Sequence, residues 1–230
     1  MPYNLDRRRL VCAASGVLIA VGLTPSLVRA EDAGDNDCTE VTPPEDLMRE
    51  HGVLNRIMLI YEAALEKLDG RESFDATLIS RAADIVRAFI EGYHERNEEQ
   101  HVFPRFRQAG KMVPLVDVLY QQHQAGRRLT DNILELARTS VVPGDDRPRL
   151  VGSLRAFIRM YRPHEAREDT ELFPKLRTVV SAHEFAAMAE DFEKDERRKF
   201  GEDGFEAMVA RVTDLEKALG IGDLARMTPT

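Results

Sequence analysis

The chain has 230 residues, with 40 acidic against 32 basic side chains, a formal charge of −8, 43% hydrophobic content and no tryptophan. An acidic surface of that size argues against nucleic acid and anionic membrane as partners. The length supports one substantial core, and a composition led by Glu, Ala, Leu and Arg is that of long helices, so an all-α protein is expected.

Residues 1–30 are of a different kind. Arg7, Arg8 and Arg9 form a basic start, an apolar run extends from Leu10 to Leu23, Pro25 breaks it, and Val28-Arg29-Ala30 offers small residues for cleavage. This reads as an export signal cut after Ala30, which sends the mature chain to the periplasm and leaves it no membrane span. The order Arg7-Arg8-Arg9-Leu10-Val11 resembles a twin-arginine signal, with Asp6 where that pattern usually has Ser or Thr. That route carries folded proteins. Cleavage removes four Arg and one Asp, taking the charge from −8 to −11. Cys12 goes with the signal, and Cys38, alone in a polar leader over 31–43, has no internal partner for a disulfide.

The first helix opens at Pro43-Pro44, with Glu45 and Asp46 in its first turn. Its seam is Leu47, His51, Leu54, Met58, Tyr61, Leu65 and Leu68, in steps of four and three, and Asp69-Gly70 closes it. A second helix runs from about Ser73 to Val102 with Val86, Ile90, His94 and Glu98 one turn apart. A third, from about Met112 to Thr139, carries Val116, Leu119, His123, Gly126, Thr130 and Ile133 inward. The small Gly126 and Thr130 leave room beside His123. The fourth presents Leu150, Leu154, Phe157, Tyr161, His164 and Glu168, and Pro163 is expected to kink it. Two further helices, about Ser181 to Phe200 and Gly204 to Leu219, make a C-terminal extension over 181–230 that covers the outside. Four long helices with short connections over 44–180 predict an up-down-up-down four-helix bundle.

One stretch occurs twice. Tyr93-His94-Glu95-Arg96-Asn97-Glu98-Glu99-Gln100-His101-Val102-Phe103-Pro104 returns 70 residues later as Pro163-His164-Glu165-Ala166-Arg167-Glu168-Asp169-Thr170-Glu171-Leu172-Phe173-Pro174. In each copy a His precedes a Glu by four residues, which sets both on one helical face. The proline after each is expected to end or kink the helix. His51 and His123 repeat at an offset of 72. The bundle therefore reads as a duplicated hairpin offering four imidazoles and two carboxylates at one depth. Two buried carboxylates cost several kcal/mol each without compensation, and bound cations provide it. Imidazole and carboxylate without thiolate suit iron or manganese better than structural zinc.

The set His51, His94-x-x-x-Glu98, His123, His164-x-x-x-Glu168, with Phe-Pro after each chelate, resembles the hemerythrin-like or HHE cation-binding domain. The resemblance implies a non-haem di-iron centre, oxo- or hydroxo-bridged, held by these six residues. It implies a small diatomic or peroxide ligand: dioxygen, nitric oxide or peroxide. Oxygen-carrying hemerythrins have a second His one turn after the third-helix ligand, where this chain has Arg127, which argues against a pure reversible carrier. The set is more similar to di-iron proteins that repair iron centres or handle nitric oxide, without the Cys-bearing N-terminal extension many of them carry. Enzymatic turnover and non-enzymatic binding or sensing both stay open, as does the electron donor.

Three residues are expected to support the site from behind. His101 lies one turn past Glu98, as a helix-end residue or a fifth imidazole. Tyr161 lies one turn before His164, as core packing with a satisfied hydroxyl, or as a group that hydrogen-bonds a bound oxygen species or supplies a radical. Arg127 either reaches solvent or pairs with a core acid. Glu95, Glu99, Glu165 and Asp169 adjoin the ligands in sequence and are expected to be mostly solvated, Asp169 least so. His183 is expected on the surface.

Overall fold

The computed structural model describes residues 41–229. The export signal, Cys12, Cys38 and most of the leader lie outside the described residues. The described chain is all-helical, with no strand. Its α-helices are α1 (Pro43–Gly70), α2 (Thr77–Ile85), α3 (Glu95–Asn97), α4 (Phe103–Gln108), α5 (Val113–Leu136), α6 (Arg147–Arg167), α7 (Ala182–Phe200) and α8 (Gly204–Leu219).

The start of α1 follows its sequence. Thr42 is extended, and the Glu45 carboxylate accepts from both its backbone N–H and its hydroxyl, closing a capping box ahead of Pro43. At the other end the left-handed residue is Arg71, at φ 55°, rather than Gly70. Its N–H and that of Glu72 return to the carbonyls of Leu68 and Lys67.

From α2 to α4 the chain follows one helical path that changes winding: Val86–His94 and Glu98–Val102 are π-helical. A third π segment, Glu168–Leu172, follows α6. Two of the three begin at Glu98 and Glu168 and end before Phe-Pro. A proline has no N–H to return, and its ring crowds the carbonyl four residues back. The turn ahead of it widens, so that the N–H of Phe103 reaches the Glu98 carbonyl and that of Phe173 reaches Glu168, five residues back in both cases. Of the two outcomes expected at Phe-Pro, an end or a kink, the helix does not end. It widens and continues, as α4 in one copy and as a 3-10 helix, Phe173–Thr178, in the other. Pro163 sits inside α6, which runs on to Arg167.

Helices α5 and α6 pack on each other, and α1 packs on α6 and on the π-helical Val86–His94. The C-terminal α8 lies along α1 and α2, and α7 bridges α8 and α1. This outer layer buries Tyr93, whose ring meets Phe200 edge-on at 5.7 Å and whose hydroxyl donates to the Phe192 carbonyl at 3.3 Å. Arg56 of α1 ties the layer down through both carboxylate oxygens of Glu216, at 2.8 and 2.6 Å. No described helix is long and apolar enough to cross a membrane.

The apolar core comes in two pieces. One holds Leu54, Met58, Val86, Ile90, Ile133, Leu154 and Phe157; the other holds Leu47, Val102, Phe103, Val116, Leu119, Leu172 and Phe173. Each long helical path crosses from one piece to the other at a polar step: His51 on α1, His94 and Glu98 after α2, His123 on α5, His164 and Glu168 at the end of α6. Four interruptions at one level make a polar layer across the middle of the core.

Candidate metal centre

The six residues of that layer are buried, none more than 3% exposed. Their ligand atoms form two groups. His51, His94, Glu98 and Glu168 each bring one atom within 4.8 Å of the others, and so do His123, His164 and the same two glutamates. Glu98 stands between the pockets, one oxygen 3.7 Å from His94 Nε2 and 3.4 Å from His123 Nε2. Glu168 does the same, 3.3 Å from His51 Nε2 and 3.1 Å from His164 Nε2. Both carboxylates are thus common to both pockets.

Every imidazole is fixed by its outer nitrogen. Nδ1 lies 2.8 Å from Asp169 in His51, 2.8 Å from Glu50 in His94, 3.0 Å from Glu99 in His123 and 2.9 Å from Gln122 Oε1 in His164. An acceptor at Nδ1 makes that nitrogen the donor and turns the Nε2 lone pair inward, the tautomer a metal ligand needs. The phenylalanines of the two Phe-Pro pairs lock the rings from the side. Phe173 stacks on His51 at 5.6 Å and Phe103 on His123 at 5.3 Å, with interplanar angles of 22° and 23°.

Without a cation the buried carboxylates and imidazoles of the layer shift one another strongly. Burial and then the neighbouring Glu168 push the Glu98 carboxyl well above the usual range. Burial also opposes ionisation of Glu168, but His164 and His51 outweigh it and hold that carboxyl well below its usual range. For His51 burial opposes protonation, and the carboxylates of Asp169 and Glu168 outweigh it, lifting the imidazole to about 10. His94 is pushed down by burial and by His51. Among the described residues, Nε2 of His51 and His123 and all four oxygens of Glu98 and Glu168 find no hydrogen-bond partner. Such groups cost several kcal/mol each unless something satisfies them. Nitrogen and carboxylate donors gathered in these two overlapping groups fit bound metal cations.

A second ring of polar groups corrects the expectation that the neighbouring acids are solvated. Glu95 and Glu165 are 1% and 3% exposed, and Glu99 and Asp169 bind the imidazoles of His123 and His51. Tyr161 donates to Glu95 at 2.7 Å, and Asn55 donates to Glu165. Arg127 pairs with core acids, Glu95 at 2.9 Å and Glu99 at 2.8 Å. The room beside His123 is taken by Tyr161: a Cβ at Gly126 would lie 1.9 Å from its hydroxyl oxygen. The acids were missed because a residue next to an inward one is turned by only about 100°. With helices packed on both flanks that turn still faces protein. The repeat carried the signal, since Glu99 and Asp169 are acids at matching positions. Glu50 and Gln122, each just before a lone His, matched as well. His101 belongs to neither pocket and rests edge-on against Phe192 at 5.7 Å, while His183 is exposed.

The arrangement agrees with comparisons to known proteins. The family model of the hemerythrin HHE cation binding domain matches residues 42–176. Uncharacterized proteins from Mycobacterium bovis and Mycobacterium tuberculosis are 46% identical over 239 aligned positions, which span 100% of this chain and 93% of theirs. No solved structure matches. With a buried set of imidazoles and carboxylates inside the matched region, the chain belongs to the hemerythrin HHE cation-binding domain family.

Proposed function

We propose that this chain is an exported non-haem di-iron protein that binds or reacts with a small oxidant: dioxygen, nitric oxide or peroxide. In this reading four long helices run up-down-up-down around the centre. His51 and His94 hold one ion, His123 and His164 the other, and Glu98 and Glu168 serve both. The observation that supports it is the orphaned set of inward atoms in the polar layer, two of them imidazole nitrogens and four carboxylate oxygens. Donors of nitrogen and oxygen without sulfur suit iron, with manganese next. When bound, two such ions supply Lewis acidity and electrons to a small molecule.

The residues do the rest. The four Nδ1 hydrogen bonds hold the imidazoles in place before any ion arrives, so little ordering is left for binding to accomplish. Imidazole and carboxylate bind a cation in their deprotonated forms, so uptake of cations releases whatever protons these six residues carry. Apolar side chains on both sides of the layer keep bulk water out. Two imidazoles and two shared carboxylates leave each ion short of ligands, so a small molecule has a place to bind. Arg127, engaged with Glu95 and Glu99, offers no further ligand, which favours a reactive or sensing role over reversible carriage. Export rests on residues 1–30 and the metal on the layer.

Anaerobic purification with metal counting tests this reading. Two irons per chain are expected, one for each group of ligand atoms, with a reduced count in His164→Ala. A wild-type protein that takes up no metal contradicts it. Mixing the reduced protein with dioxygen, nitric oxide or peroxide while following the visible spectrum then separates the two roles. Consumption of the oxidant marks turnover, and a spectrum that reverses when the gas is removed marks a binding or sensing module.

A further inference from the structure

The two pockets repeat each other in their inward ligands and differ in what stands behind them. On α1 and α5, related by 72 residues, Glu50 becomes Gln122 and Asn55 becomes Arg127. Glu50 backs His94 with a carboxylate, whereas Gln122 backs His164 with a neutral amide. Asn55 donates to Glu165 as a neutral group, whereas Arg127 puts its charge on the same Glu99 oxygen that accepts from His123. The first change is from −1 to 0 and the second from 0 to +1, so these two positions together are more positive by two charges in the second repeat. Both changes fall behind the His123–His164 pocket. A carboxylate behind a ligating imidazole raises its basicity; an amide does so less, and an arginine on that carboxylate draws the effect away. Gln122 also lines an open groove on α5 with Val118, Gln121 and Arg128.

From these contacts we infer that the two cation positions are unequal: the one at His51 and His94 is filled first and retained, and the one at His123 and His164 is weaker and exchangeable. The inference rests on the proposed two-ion reading of the layer. Second-sphere partners of this kind change metal affinity about 10- to 100-fold, and the gap between the two binding steps is expected in that range.

The test is an anaerobic titration of metal-free protein with iron(II), counting zero-, one- and two-ion species by native mass spectrometry. At one equivalent the one-ion species should dominate in wild type, a measurement that needs no variant. Gln122→Glu and Arg127→Asn should tighten the second step and leave the first in place. Glu50→Gln should weaken the first step. Uptake of two ions with no one-ion species overturns the inference while leaving the proposed function standing, and so does a Gln122→Glu protein whose first step tightens instead. A protein that binds no iron overturns both.

Discussion

The two repeats keep every atom that touches the centre and change the atoms one contact further out. His51 matches His123, His94 matches His164 and Glu98 matches Glu168, and even the ring that stacks on each lone imidazole, Phe173 or Phe103, is the same. Around them Glu50 faces Gln122, Asn55 faces Arg127 and Leu54 faces Gly126. At the centre the ligand atoms have to meet within one cluster, which fixes their geometry. Support one shell away has only to satisfy hydrogen bonds and fill volume, and several side chains do that equally well. Duplication therefore preserves coordination and leaves field and packing free to differ.

The comparison breaks most sharply at a residue both pockets share. Glu168→Ala removes a carboxylate common to both groups, and its metal content should fall from two ions to none by elemental analysis, whereas His164→Ala should fall toward one. Next in size is the pair Leu54 and Gly126, at matching positions with opposite demands. Leu54→Ala empties a site 1% exposed and should cost about 2–5 kcal/mol. Gly126→Ala adds a carbon where the Tyr161 hydroxyl sits and should cost about 1–3 kcal/mol, read in both cases by denaturant unfolding of metal-free protein.

A smaller effect is expected with pH. Burial raises the Glu165 carboxyl to about 8 from 4.5, so its contribution to metal-free stability is complete below pH 4.5 and lost as pH rises through 8. For His51, raised from 6.5 to about 10, the contribution is complete below 6.5 and lost as pH rises through 10. The two losses run in the same direction, and the melting temperature of chelated protein should decline between pH 5 and pH 10. Asp169→Asn, which removes a carboxylate that lifts His51, should flatten the upper part of that decline. Smallest are Phe103→Leu and Phe173→Leu, each expected to cost about 1 kcal/mol in loss of stacking on the histidine and to leave both cations bound.

Much of the centre was legible because its residues contradict their surroundings. A histidine in a seam of leucines, followed 72 residues on by another, and an inward His-x-x-x-Glu repeated after 70, are chemically conspicuous. The long helices were legible for the same reason, their seams being regular up to the polar step. The acids beside the ligands were harder to read. Glu95 and Glu165 look like a wet face on an isolated helix and are buried only because helices flank them on both sides. The π turns were out of reach as well. A proline predicts that a helix ends or kinks, and the choice between them depends on packing far away in sequence: Phe103, Phe106, Phe173 and Leu176 share one buried cluster where the chain winds on.

The most direct check on the shared layer is a crystal of iron- or manganese-loaded protein measured at that metal's absorption edge. Two anomalous peaks per chain are expected inside the core, one bounded by Nε2 of His51 and His94, the other by Nε2 of His123 and His164, each also reached by Glu98 and Glu168. A single peak, or peaks at the surface with the six side chains turned away from them, would contradict the account.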